Sequence, residues 1–187
     1  MTFDDGPDPG WTPRILDVLA EEGAGATFFV LAPAASEHPE LIARAVDEGH
    51  EVALHAERHV RHTEMDHDAI AADAEAGLAR LSELGAEPAR WRTPWGVQTQ
   101  ATRDVACALG LELVGWTHDS RDWSGEPAET MLGRCTAGLA GGSIVLMHDG
   151  LGPGATREGC GETVRLTRDL IVQARRLGLE ALSLERR

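Results

Sequence analysis

Short apolar runs alternate with amphipathic stretches along this 187-residue chain, and that alternation limits the possible folds more than any other feature. Runs at 1–3, 26–31, 51–54, 90–92, 111–116, 143–148 and 179–184 read as strands. Helical patterns fill the intervals at 12–23, 39–49, 66–84, 100–109, 127–139 and 161–177. Thr12-Pro13 reads as an N-cap followed by proline at the first helical position, and Gly23, Gly49, Gly110 and Gly178 stop helices. Such alternation means parallel strands joined by right-handed crossovers. At 187 residues, the chain is expected to form one domain spanning 1–187.

Two α/β architectures fit, an open doubly wound sheet and a small barrel. The polar residues decide between them. Asp4-Asp5-Gly6-Pro7, His55 and His59, Arg92, Asp119 and Asp122, and His148 all fall at or just after strand ends. Functional groups gather at the C-terminal ends of parallel strands. Five strands of an open sheet span roughly 19 Å or more, too far for their side chains to converge. In a barrel they converge. A full eight-unit barrel usually needs about 250 residues, so the expectation is a distorted, seven-stranded (β/α)7 barrel with outer helices. Met1-Thr2-Phe3 reads as the last part of a strand, so the first strand is expected to be truncated.

Composition excludes several chemistries. The chain has no Lys, Tyr or Asn; its 17 basic residues are all Arg. Schiff-base, pyridoxal phosphate and Walker-lysine chemistry are therefore absent. The net charge of −14 argues against nucleic acid and anionic membranes as partners, although it also serves simple solubility. Cys107, Cys135 and Cys160 are odd in number and widely spaced, unlike a disulfide framework or an all-cysteine zinc site. No segment has the roughly 18 apolar residues of a membrane span. No signal peptide is visible, which places the chain as it stands in the cytoplasm, or outside the cell if a leader has been removed.

Each polar cluster has a plain reading beside the functional one. Asp4-Asp5-Gly6-Pro7 is good turn chemistry, yet the turn lets both carboxylates reach one site in different roles. His55 and His59 stand four residues apart, so a helical turn puts both rings on one face at metal-chelating distance. Surface histidines in a polar loop are the alternative. Two histidines and one carboxylate leave coordination open, the catalytic rather than structural zinc pattern, and Asp5 is the natural third ligand. Arg92 can hold a carboxylate by bidentate bonds or pack its stem on Trp91 or Trp95. His148 and Asp122 read equally well as structural residues.

Taken together, the segments Thr2-Phe3-Asp4-Asp5-Gly6-Pro7, His55-Ala56-Glu57-Arg58-His59, Arg92-Thr93-Pro94-Trp95-Gly96, Asp119-Ser120-Arg121-Asp122-Trp123 and Leu146-Met147-His148 resemble the five motifs of the polysaccharide deacetylase family, also called the NodB-homology domain or carbohydrate esterase family 4. They occur in the family's order and spacing. The resemblance implies a distorted (β/α)7 barrel and a metal-dependent hydrolase of N- or O-acetyl groups, usually on sugars. It implies that Asp5, His55 and His59 bind one divalent ion, zinc or another such as cobalt. It assigns Asp4 as general base, His148 as general acid, Arg92 to orient Asp4, and Asp122 to tune His148. Trp123 and Leu146 then wall the acetyl-methyl pocket, and the Trp95 backbone N–H helps bind the oxyanion.

The chain departs from the family pattern in three places. Ala56 stands where Ser or Thr usually supports the metal loop, so a lower metal affinity is expected. Trp95 replaces the more usual Tyr in a role borne by backbone. The first strand is short. The expected partner is an acetylated sugar, with an amidohydrolase or deacylase of a small metabolite or cyclic amide as the alternative substrate class and a non-catalytic carbohydrate-binding relic as the third reading. The sequence leaves the oligomeric state open.

Overall fold

A computed structural model describes residues 1–184. Strands β1 (Thr2–Asp4), β2 (Thr27–Leu31), β3 (Glu51–Ala56), β4 (Arg90–Trp91), β5 (Glu112–Leu113), β6 (His118–Asp119) and β7 (Val145–His148) form one sheet in the order β5-β4-β3-β2-β1-β7-β6. All of its pairings are parallel. The helices are α1 (Thr12–Glu21), α2 (Ala32–Glu37), α3 (Pro39–Asp47), α4 (His67–Glu83), α5 (Gln100–Leu109), α6 (Ala128–Thr136) and α7 (Gly161–Arg176).

Chain length forces this sheet to curl. β5 and β6 are its two edges, yet only residues 114–117 lie between them. Five residue steps reach at most ~18 Å. A flat seven-stranded sheet would hold its edges about 29 Å apart. The edges must therefore approach each other, giving the incomplete (β/α)7 barrel that the convergence of strand-end polar residues implied. The crossing segment is tied to both sides: Val114 N donates to Trp91 O at 2.9 Å, and Thr117 N to Ile144 O at 2.9 Å.

Period-2 alternation sorts the side chains between two layers. Phe3, Phe28, Val30, Val52, Leu54, Trp91 and Met147 face outward and join Ile15, Leu16 and Leu19 of α1, Ile70 and Leu81 of α4, and Leu166 and Leu170 of α7 in the main core. Phe3 and Phe28 stack at 5.2 Å. Burying each large side chain stabilises the fold by about 1.5–3 kcal/mol. A smaller cluster of Phe29, Ala53, Val114 and Leu184 lies apart from this core. Phe29 and Ala53 share strand parity with Asp4, His55 and Arg92, which places the chemistry on the inner surface of the curled sheet.

Four local expectations change. Helix α2 was not anticipated: Leu31 precedes it without a side-chain cap, and a proline sits in its first turn. The run 111–116 is not one strand; β5 ends at Leu113, and the chain crosses to the other edge before β6 begins. Residues 179–184 are not a strand of the sheet. They lie against its N-terminal edge through Gly25 N→Ala181 O (2.8 Å) and Leu184 N→Thr27 Oγ1 (2.9 Å). Thr12 does not cap α1, whose N-cap is Trp11. Its hydroxyl instead donates to Asp149 Oδ2 at 2.6 Å and accepts from Asp8 N at 2.8 Å.

Candidate active site

The C-terminal ends of β1, β3 and β7 open into a cavity of about 170 Å³ lined by Asp4, Asp5, His55, His59, Trp95 and His148, among others. A larger cavity of about 590 Å³ lies at the other end of the barrel beside Met1, Ile144 and Val145, but it lacks a comparable cluster of titratable side chains. Chemistry, not size, identifies the smaller one.

Asp5 leaves β1 with φ 74°, the left-handed region that Asp tolerates better than most residues. This conformation breaks the strand alternation, so Asp4 and Asp5 both reach the cavity. A Cβ on Gly6 would stand 2.1 Å from Asp149 Oδ2, so only glycine fits the turn.

Asp5 Oδ1 lies 3.4 Å from His55 Nε2 and 3.2 Å from His59 Nε2. Among the described residues, these three ligand-bearing side chains place their donor atoms within 4.8 Å of one another. The histidine pair is not on a helix, as the spacing suggested. His55 belongs to β3, and the chain bends after Ala56 to bring His59 back. Asp73, buried on α4, fixes that bend by accepting from Glu57 N and Arg58 N, both at 3.1 Å. Its carboxylate holds the loop where the family's usual hydroxyl is replaced by Ala56.

The donor set fits a divalent cation. Asp5 Oδ1 is buried without a hydrogen-bond donor, and so is His59 Nδ1 without an acceptor. His55 Nδ1 donates to Arg92 O at 2.6 Å, which leaves its Nε2 lone pair for coordination. Burial alone would raise the Asp5 pKa, but the His55 and His59 imidazoles win and hold it well below the usual carboxylate range. Burial opposes the charged form of His55, and Asp4 and Asp5 reverse that, raising its pKa. At His55 a cation therefore competes with a proton that its carboxylate neighbours favour.

Asp4, beside this triad, takes a different partner. Arg92 Nη1 donates to Asp4 Oδ1 at 2.8 Å and to Thr2 Oγ1 at 2.7 Å. Arg92 Nη2 and Nε donate to Gly115 O and Val114 O at 2.9 and 3.4 Å. Its guanidinium also lies 4.2 Å from the centre of the Phe29 ring.

Across the cavity, His148 Nδ1 donates to Asp122 Oδ1 at 2.7 Å, leaving Nε2 for a substrate. Burial alone would lower the His148 pKa; Asp122, Asp4 and Asp5 overcome it and raise it to about 9. Asp122 is held well below the carboxylate range, its burial outweighed by His148 and Arg157. Leu146 is buried while Trp95 and Trp123 are 38% and 40% exposed, and all three line the cavity. Trp95 has φ 53°, a strained conformation for a residue other than glycine. Its ring packs edge-on against His59 at 4.2 Å, with Arg61 4.1 Å from its centre.

The family's sequence pattern, described as polysaccharide deacetylase, matches residues 1–114. The chain belongs to the polysaccharide deacetylase family. It is 37% identical over 190 residues to a chitooligosaccharide deacetylase from Bradyrhizobium sp. (strain ANU 289), covering 96% of this chain and 85% of that one. It is 33% identical over 152 residues to a peptidoglycan-N-acetylglucosamine deacetylase from Bacillus cereus (strain ATCC 14579), covering 80% and 71%. Its fold superposes on a family 4 carbohydrate esterase from Streptomyces lividans, solved in complex with acetate, with TM-score 0.87 and 26% identity over 96% of this chain and 88% of that one.

In this polysaccharide deacetylase, the structure brings all ten residues singled out from the sequence to one cavity or its immediate supports. Sequence reasoning missed Trp116, which lines the cavity and against which a Cβ on Gly96 would stand at 2.5 Å. It also missed Arg157, Thr163, Asp149 and Asp73. Asp149 had a signal, since it directly follows His148. Arg157 stands alone as a cation in the glycine-rich segment 150–161, a weaker signal. Asp73 and Thr163 lie within helices and carry no local signal.

Proposed function

We propose that this polysaccharide deacetylase hydrolyses the N-acetyl amide of an amino sugar in a chitooligosaccharide or peptidoglycan-type glycan. The observation that carries this reading is the pairing, across one cavity of about 170 Å³, of a base-like carboxylate and an acid-like imidazole on either side of a His-His-Asp triad. The relatives act on such sugars by name, and the cavity has room for an acetyl group.

Asp5, His55 and His59 hold one divalent ion, and two imidazoles with one carboxylate favour zinc. Bound there, such an ion supplies Lewis-acid polarisation of the acetyl carbonyl and lowers the pKa of water. Asp4 is the general base. Its Oδ1 is fixed by Arg92, so Oδ2 is the oxygen left to take the water's proton. The Trp95 N–H stabilises the developing oxyanion. His148 carries its labile proton on Nε2 and delivers it to the departing amine, which leaves poorly without one. Trp123 and Leu146 hold the acetyl methyl.

The test is acetate release from N-acetylated chitooligosaccharides, peptidoglycan fragments, acetylxylan and small N-acetyl metabolites, with zinc added and with zinc removed by chelation. Zinc-dependent turnover of the first two is expected. Turnover confined to small metabolites would overturn the glycan assignment.

A further inference from the structure

Arg157 is 4% exposed and belongs to none of the five motifs. Its Nη1 donates to Asp122 Oδ2 at 2.8 Å and to Thr163 Oγ1 at 2.5 Å. Its Nη2 donates to His148 O and Gly150 O, both at 3.0 Å. Thr163, on α7, donates to the same Asp122 oxygen at 2.7 Å. Asp122 is thus gripped on both oxygens, by the His148 ring on Oδ1 and by Arg157, Thr163 and the His148 backbone N–H, the last at 2.9 Å, on Oδ2.

The segment that carries Arg157 also touches the metal side of the cavity. A Cβ on Gly152 would stand 1.9 Å from Asp5 Oδ2, and one on Gly150 would stand 2.4 Å from Asp5 O. Gly150, Gly152, Pro153, Gly154 and Ala155 line the cavity wall. One short loop is therefore pinned to the acid at one end and seated on a metal-ligating carboxylate at the other. Glycines make the close approach possible, and an arginine is what keeps so glycine-rich a segment in place.

We propose that Arg157 is a positioning residue for deacetylation: it clamps the Asp122–His148 pair, seats the 150–157 loop against Asp5, and draws part of the Asp122 charge away from His148. This rests on the reading of His148 as the acid. Two effects follow. Losing Arg157 loosens the geometry of proton delivery, and misplacements on the ångström scale cost up to about 10²-fold in rate. It also leaves Asp122 to act on His148 without a competing cation, which strengthens the hold on the His148 proton. The other charged or titratable groups around this pair include Asp4 at the end of β1, Asp5 in the turn after it, Asp149 and Cys160 on the flank of the loop, and Cys135 of α6 beside Arg134 and Asp119. All of them stay in place in an Arg157 variant.

The experiment compares Arg157→Gln, Arg157→Lys and His148→Ala with the parent chain, each loaded with zinc and checked for metal content and thermal unfolding. Rates are measured across pH on an N-acetylated chitooligosaccharide and on an activated aryl acetate. For Arg157→Gln we expect retained zinc, a kcat on the sugar lower by about tenfold or more, a smaller loss on the aryl acetate, and an alkaline limb moved to higher pH. Arg157→Lys should recover part of the rate and return the limb toward the parent's. An unmoved or lowered limb, or equal losses on both substrates, would overturn the proposal when His148→Ala spares the aryl acetate. Equal losses in His148→Ala would remove the acid reading itself, and the Arg157 role with it. Should Arg157→Gln not fold, Arg157→Lys carries the same comparison: parent-like rates and limb in that variant support the proposal, and a limb displaced downward overturns it.

Discussion

Arg92 Nη1 lies 2.8 Å from Asp4 Oδ1, and both side chains are sealed from solvent. A buried ion pair of this kind costs about 3–5 kcal/mol when one partner is removed, because the other is left charged and unpaired. Arg92→Met should therefore destabilise strongly. Asp4→Asn keeps shape and one acceptor, so it should fold and retain zinc while kcat falls by roughly 10²-fold or more. Metal analysis beside kinetics checks this. Metal content falling in step with activity would make Asp4 a ligand instead.

Among the described residues Asp5 Oδ1 has no hydrogen-bond donor, and two imidazole nitrogens face it at 3.4 and 3.2 Å. His59→Ala should abolish stoichiometric zinc binding and, with it, turnover. Because the neighbouring carboxylates push the His55 pKa up, zinc competes there with a proton, and its affinity should weaken as pH falls, with proton release on binding. Calorimetry in buffers of different ionisation enthalpy reads the proton release directly. A pH-independent affinity is the contrary result.

The Asp122–His148 pair has a sign that can be worked out. His148 sits at about 9 when folded, against an ordinary value of 6.5. Its protonated form is thus favoured by folding. The stabilisation is fully present below about pH 6.5 and is lost as pH rises through about 9. Its size is on the order of 3 kcal/mol, counted once for the pair. Asp122→Asn should lose this stability at pH 6 and move the alkaline limb of kcat to lower pH, opposite to the shift expected on losing Arg157. Chemical denaturation at pH 6 and pH 10, run beside the rate profile, separates the variant from the parent chain. A difference in stability that stays constant between those pH values would falsify the assignment.

Gly152 offers a test that replaces no titratable residue. A methyl there overlaps Asp5 Oδ2. Gly152→Ala should lower zinc affinity by about tenfold or more through displacement of that carboxylate, with thermal stability of the zinc-free protein little changed. Parent-like zinc binding in this variant would mean the loop yields rather than Asp5.

Much of this was legible from sequence, for a physical reason. Strand-end residues are read by local patterns, and Asp4, Asp5, His55, Arg92 and His148 all sit where a strand stops. Alternation gave the parallel α/β class, and the convergence of polar residues from five strand ends gave the barrel. What escaped was nonlocal or uncapped. Helix α2 starts straight from β2 with no polar cap to announce it. Apart from Glu112, which is already in β5, the run 111–116 carries no charge, so little in it marks where the chain leaves one sheet edge for the other. Residues 179–184 alternate like a strand but spend their hydrogen bonds on Gly25 and the Thr27 hydroxyl. Thr163 and Asp73 meet their partners 41 and 15–16 residues away, and helix periodicity says nothing about such meetings.

The gap between β5 and β6 has a consequence for how the molecule moves. Ladder hydrogen bonds hold Val114 to one edge and Thr117 to the other, but between them Arg92 supplies the grip, on the carbonyls of Val114 and Gly115. Trp116, in this same stretch, forms part of the cavity wall. Segments with few ladder bonds open locally at lower free energy than strands inside a sheet. Amide exchange should therefore run faster at Gly115 and Trp116 than at Phe28 or Val52, the pattern expected of a barrel that opens first at its seam. One wall of the cavity would then yield to sugars of different width while Asp5 and His59, just past β1 and β3, and His55 on β3 stay in place.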